Sequence, residues 1–167
     1  CGTDTHTFFE LPKDEARNAL GWEQGGKYVL FAGAFENKVK NYTLAQKAVA
    51  LANGCQLIEL KGYNRTQVNL LMNACDCLLM TSEREASPMV IKEAMLCGCP
   101  IVSVDVGDVK DMISGTDGCF IACREPADIA DKLLRIFELR ERTDGRNRII
   151  QSGLDLSDIA RRIQTVY

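Results

Sequence analysis

Short, uninterrupted apolar segments alternate with stretches of helical spacing along this chain, and that alternation limits the folds open to it. Tyr28–Gly33 (YVLFAG), Gln56–Leu60, Cys77–Met80, Ile101–Val104 and Cys119–Ala122 read as strands. Between and after them, Thr43–Leu51, Thr66–Ala74, Pro88–Cys97 and Pro126–Leu139 carry apolar residues at helical intervals, with Asn53-Gly54 stopping the first. A last helix is expected at Asp158–Val166. Strands that are apolar at every position are covered on both faces, as in a parallel sheet with helical crossovers. The predicted fold is therefore α/β: a doubly wound, Rossmann-like parallel sheet with helices on both faces, filling one domain over residues 1–167. Such sheets bind ligands beyond the carboxyl ends of their strands, so function is expected after Gly33, Leu60, Ser82 and Val106.

Charge and cysteine usage remove several function classes. A net charge of −3 does not suit a nucleic-acid binder, which presents a basic face. No apolar run reaches the roughly 18 residues of a membrane helix. The eight cysteines fall mostly in apolar stretches such as CLLM and CFIAC, and the two Cys-x-Cys pairs lack the spacing of zinc ribbons or fingers. They read as reduced, buried thiols, with no metal site and no cofactor expected. A cytoplasmic location follows, with attachment to the inner face of a membrane left open for a longer protein. The chain begins at Cys1 with no initiator Met, which predicts a piece of something larger.

The most informative stretch is Ser82–Pro100 (SEREASPMVIKEAMLCGCP). Ser87 suits an N-cap, Pro88 the first helical position and Gly98 a left-handed C′ residue. The helix start faces the ligand edge of the sheet, where the amides of Met89 and Val90 can meet an anion. Two carboxylates, Glu85 in the loop and Glu93 in the helix, would repel a phosphate unless they serve its hydroxyl-bearing neighbours, ribose and sugar. The plainer reading makes both solvated acids, although Glu93 is an isolated acid in an otherwise apolar helix. Lys40, in the loop after the first strand, is either a phosphate ligand or one more surface lysine beside Lys38. Gly62 and Tyr63 are either nucleobase contacts or a plain turn. His6 reads as an exposed loop residue, Asp105 and Asp108 as strand-end and turn residues, and Arg140–Arg148 as a solvated helix end.

Glu85-x7-Glu93, followed by Ala94-Met95 and Gly98-Cys99-Pro100-Ile101-Val102, resembles the E-x7-E signature of family-4 retaining glycosyltransferases. The resemblance extends over nearly the whole chain. Gly2-Thr3-Asp4 with Phe8, Phe9 and Pro12, the Glu15–Gly21 helix, Phe31-Ala32-Gly33 with Lys40, Val106-Gly107, and Asp158–Tyr167 all fall in the family's order. It implies the second, donor-binding domain of a GT-B architecture, whose acceptor would be held by an absent N-terminal domain. It implies a UDP- or GDP-linked sugar as partner and transfer without a metal. Lys40 would clamp the diphosphate, near Gly33. Ser87, Pro88, Met89 and Val90 would surround the phosphates, Glu93 would hold the ribose, Glu85 the sugar, and Gly62 and Tyr63 the base. Glu85 and Lys40 would be the catalytic pair. The family's usual arginine after the glycine is Ala34 here, so one phosphate-facing cation of the usual pair is missing. The alternatives are a degenerate nucleotide-binding or interaction module and a UDP-sugar epimerase of the same fold.

Overall fold

The computed structural model describes residues 4–153. The helix expected at 158–166, and Gly2 and Thr3, lie outside the described residues. The sheet is all parallel in the order β2-β1-β3-β4-β5, with β1 at Lys27–Phe31, β2 at Cys55–Glu59, β3 at Cys77–Met80, β4 at Ile101–Val104 and β5 at Cys119–Ala122. Its helices are α1 (Lys13–Leu20), α2 (Tyr42–Leu51), α3 (Arg65–Ala74), α4 (Met89–Leu96), α5 (Val109–Ile113), α6 (Pro126–Leu139) and α7 (Gly145–Gln151). The helices pack as pairs, α2 on α6, α1 on α3 and α4 on α7, and for this strand order the right-handed rule for parallel crossovers assigns α2 to one face and α3 and α4 to the other. The doubly wound expectation holds.

The reason lies in the strands. β3 and β4 are buried at every position, and Val29, Leu30 and Phe31 of β1 are equally enclosed. Leu79 pairs with Phe31 on one side and Val102 on the other, which puts apolar side chains in register across the sheet's centre. The strand order reverses about β1: the chain leaves it for β2 on one flank and returns to β3 on the other. In a doubly wound sheet such a reversal is where a ligand is expected, beyond the carboxyl ends of the strands.

Cys75, Cys77, Cys97 and Cys99 are fully buried, and the seven cysteines described are all reduced. Cys75 Sγ lies 3.6 Å from Cys99 Sγ, a thiol–thiol contact and well beyond a covalent bond. Burial pushes the Cys97 and Cys119 thiols up to about 12, so they stay protonated and unreactive.

The segment 140–148 overturns its sequence reading. It is not a solvated helix end. Arg140 ends α6 in a left-handed conformation, and α7 starts at Gly145. The guanidiniums that follow turn inward. Arg142 donates to the carbonyls of Cys97 at 3.1 Å and Met72 at 3.4 Å, and also to those of Leu11 and Asn73. Arg146 donates to Leu96 O and Phe8 O, and Arg148 to Met112 O. Met72, Asn73, Leu96, Cys97 and Met112 lie in or just after the last turns of α3, α4 and α5, whose carbonyls have no partner within the helix. The arginines supply those partners and place positive charge at the negative helix ends. α7 lies so close to α4 that a Cβ on Gly145 would sit 2.9 Å from Met95 Cα.

Candidate functional site

The loops after β1 and β3 meet beyond the carboxyl ends of the strands, where the strand order reverses. Beyond β1, Gly33 is followed by a single 3₁₀ turn, Lys38–Lys40. Asn37 shapes that turn by accepting from Val39 N, and Asn41, left-handed at φ 51°, caps α2 by accepting from Leu44 N. The aliphatic stem of Lys40 lies across Gly33: a Cβ there would fall 2.7 Å from Lys40 Cγ. Glycine at 33 is thus a condition for the lysine's path. At the end of that path Lys40 Nζ meets Glu85 Oε1 at 2.5 Å, with the two side chains 22% and 16% exposed. Residues 45 positions apart, singled out separately from the sequence, form one ion pair.

Several contacts hold the loop after β3 in place. Thr81 Oγ1 donates to the carbonyls of Lys40 and Asn41 at 2.8 and 3.0 Å, and Glu83 N donates to Val39 O at 2.8 Å. The Glu83 carboxylate accepts from Asn41 Nδ2 and faces Arg124 at 3.6 Å. Arg124, just beyond β5, also donates to Ser82 O at 2.9 Å. On the other side, Asp108 N donates to Ala86 O at 3.1 Å, and a Cβ on Gly107 would lie 2.8 Å from Glu85 O. Glu85 is therefore carried on backbone fixed from three neighbouring loops. The sequence reading did not identify Asn41, Thr81, Glu83 or Arg124 as part of this arrangement. They belong to common loop types, and only the three-dimensional proximity of the loops after β1, β3 and β5 gives them a role.

The start of α4 corrects one sequence reading. Pro88, not Ser87, is the N-cap, and no side chain caps the helix; Met89 is its first residue. The Ser87 hydroxyl accepts instead from Lys92 Nζ at 3.0 Å, and Lys92 is 3% exposed. With no side-chain cap, the first-turn amides, Met89 and Val90 among them, remain available to a ligand. Gly98 is left-handed at φ 63° just past the helix, as expected.

Glu93 is half-buried on α4. Burial is the main influence on its carboxyl and raises its pKa above the ordinary 4.5, while Arg65 pulls the other way. Gly62, at φ 77°, and Tyr63, 42% exposed, occupy the loop between β2 and α3. Among the described residues no hydrogen bond or ion pair joins them to Lys40 or Glu85. Ala34 lies half-buried between Gly33 and Phe35, and Phe35 stacks on Tyr42 at 4.2 Å while its amide donates to Glu59 Oε1. His6 is exposed, and Asp108 precedes α5. A cavity of 540 Å³ opens at the opposite edge of the sheet, lined by Pro100, Gly118, Ile136 and Leu139, remote from these loops. Among the described residues, no group of three His, Cys, Asp or Glu side chains could hold a metal, and no helix is long and apolar enough to cross a membrane.

Comparison with known proteins places the chain in a family and a fold. The family described as glycosyl transferases group 1 matches residues 27–138, more than half of the chain. A D-inositol 3-phosphate glycosyltransferase of Mycobacterium marinum is 26% identical across 69% of this chain and 32% of its own length. The chain thus spans about a third of that curated relative. Sucrose-phosphate synthase from Thermosynechococcus elongatus superposes with a TM-score of 0.89 at 20% identity, over 100% of this chain and 50% of that one. The C-terminal domain of a group 1 glycosyl transferase, LpcC, from Francisella tularensis has a TM-score of 0.74 at 15% identity, covering 93% of this chain and 100% of that domain. Anabaena HepE, solved in complex with UDP and glucose, has a TM-score of 0.75 at 19% identity over 99% of this chain and 54% of its own. The chain belongs to the group 1 glycosyl transferases and has the Rossmann-like fold of a GT-B domain.

Proposed function

We propose that this chain is the donor-binding half of a retaining glycosyltransferase and takes a UDP- or GDP-linked sugar. The observation that carries the reading is the meeting of Lys40 and Glu85 at the reversal of strand order, beside an α4 start with no side-chain cap. Lys40 supplies a compact positive charge for the diphosphate, and the first-turn amides of α4, Met89 and Val90 included, supply directional donors. Glu93, fixed by its helix, accepts from the ribose; Glu85 accepts from the sugar; the exposed loop at Gly62 and Tyr63 meets the base. Catalysis on this reading is electrostatic: charge that develops on the departing diphosphate is met by Lys40 and the amides, without a metal. The acceptor is held by a further domain, in keeping with relatives two to three times as long as this chain.

The test is a panel of UDP-, GDP- and ADP-sugars scored by thermal stabilisation, in excess EDTA with and without magnesium. A ligand at a hundred times its Kd adds about 2.7 kcal/mol of stability. Stabilisation by one nucleotide class, equal with and without the metal, is expected. No stabilisation by any of them defeats the donor reading, and stabilisation only with magnesium defeats the metal-free part. Without its partner domain the chain is expected to bind donor but form no glycoside.

A further inference from the structure

Lys40 already has a partner. Its ammonium rests on Glu85 at 2.5 Å, and both side chains are more than three-quarters buried. Any diphosphate bound by Lys40 therefore competes with a resident carboxylate. Nor can Glu85 easily withdraw. Its backbone lies against Gly107, the next carbonyl is held by Asp108 N, and Thr81 and Glu83 tie the start of the same loop to residues 39–41. When Lys40 turns to phosphate, the Glu85 carboxylate stays beside the incoming negative charge and loses its ammonium.

We infer that Glu85 makes the site discriminate between the intact donor and the nucleoside diphosphate left after transfer. This rests on the donor reading above and adds to it. An intact donor carries sugar hydroxyls beyond its diphosphate, and these donate to the carboxylate that Lys40 has released. A free nucleoside diphosphate offers no such donors. It leaves Glu85 partly buried and uncompensated next to its own charge, and an unpaired buried charge is costly. The ion pair thus penalises the product more than the substrate and favours product release after each transfer. An acid that only contacted the sugar would leave free diphosphate affinity untouched. A resident counter-ion of Lys40 predicts that removing its charge strengthens diphosphate binding.

The experiment is calorimetric titration of the full chain with UDP and UDP-glucose, and with GDP and GDP-mannose, at fixed ionic strength. Glu85→Gln is expected to bind the preferred free diphosphate about tenfold more tightly than the unaltered chain, a change of about 1.4 kcal/mol. Its sugar conjugate should bind no better than before, so the preference for donor over product collapses. Glu85→Ala should show the same sign and stands in if the glutamine variant does not fold. In a Lys40→Gln background the gain from Glu85→Gln should shrink; a gain of undiminished size there means general charge repulsion and overturns the counter-ion role. Diphosphate binding to the unaltered chain that is unchanged or weakened by Glu85→Gln overturns this inference alone. Failure of the unaltered chain to bind any of the four ligands overturns the donor reading and this inference with it.

Discussion

Two groups of cations in the molecule have different kinds of partner. At the carboxyl ends of the strands, Lys40 faces the Glu85 carboxylate, and Arg124 faces Glu83 while also donating to Ser82 O. Around the ends of α3, α4 and α5, Arg142, Arg146 and Arg148 donate to backbone carbonyls. A lysine held by one side-chain carboxylate can turn from it to a ligand without disturbing the backbone. A carbonyl at a helix end cannot move without unwinding the helix. The guanidinium fork suits the second task because it serves several acceptors at once, while a single ammonium on a flexible stem suits the first. Ligand binding and fold maintenance are thus divided between cations that look alike in the sequence, and their partners decide which is which.

Arg142→Met should show the largest effect. It strands the carbonyls of Met72, Asn73 and Cys97 near the ends of two helices. Hydrogen bonds from a charged donor contribute about 1.5–3 kcal/mol each in net terms, and their losses overlap, so a cost of about 3 kcal/mol and a melting point lower by about 10 °C are expected. Arg142→Lys should recover only part of this, having one point of charge in place of a fork. Nucleoside diphosphate affinity of the folded fraction should not change. Lys40→Met should differ. It leaves the partly buried Glu85 carboxylate unpaired, so a stability loss of about 1–2 kcal/mol is expected, smaller than that of Arg142→Met, while diphosphate affinity per folded molecule falls at least about tenfold. Denaturant unfolding and calorimetry on the two variants test the division directly. It breaks if Arg142→Met weakens the ligand per folded molecule, or if Lys40→Met unfolds the chain without touching affinity.

The same contrast explains what the sequence made legible. β3, β4, β5 and α6 coincide with their expected limits because each is bounded by a proline, a glycine or a change from apolar to polar residues. Lys40, Glu85 and Glu93 stood out through the pattern they share with a known family and through the isolation of Glu93 in an apolar helix. α5 was missed because its five residues, after Asp108, look like part of a turn. α7 was missed because its arginines match a solvated surface, and residue type does not reveal that a guanidinium faces carbonyls distant in the chain. Ser87 was misassigned for a related reason. Its hydroxyl is engaged by Lys92, a cation that spacing alone would leave in solvent but that lies buried on the inner side of α4.

Glu93 tests the comparison from a third position, and the expected effect on stability is the smallest. Among the described residues no hydrogen bond or ion pair reaches its carboxylate, and only Arg65 favours the charged form. Burial raises its folded pKa above the ordinary 4.5, so the unfolded chain gives up this proton more readily than the folded one. As pH rises from below 4.5 through the folded value, the unfolded state gains and the protein loses stability at this site. The carboxylate is therefore retained at neutral pH against a small penalty, which is the pattern of a group kept for a ligand. Glu93→Gln removes the penalty. It should raise the melting point at pH 7, by no more than about 1 kcal/mol in stability once solvent screening of this half-buried group is allowed for, and the advantage should fade below pH 4.5. The same variant replaces one acceptor oxygen with a donor, so nucleoside diphosphate should bind it about tenfold less tightly. Unfolding curves at pH 4 and pH 7, with calorimetry at pH 7, give both numbers. A variant less stable at pH 7 would show that Glu93 supports the fold like Arg142. A more stable variant with unchanged affinity would leave the carboxylate without the ribose role assigned to it.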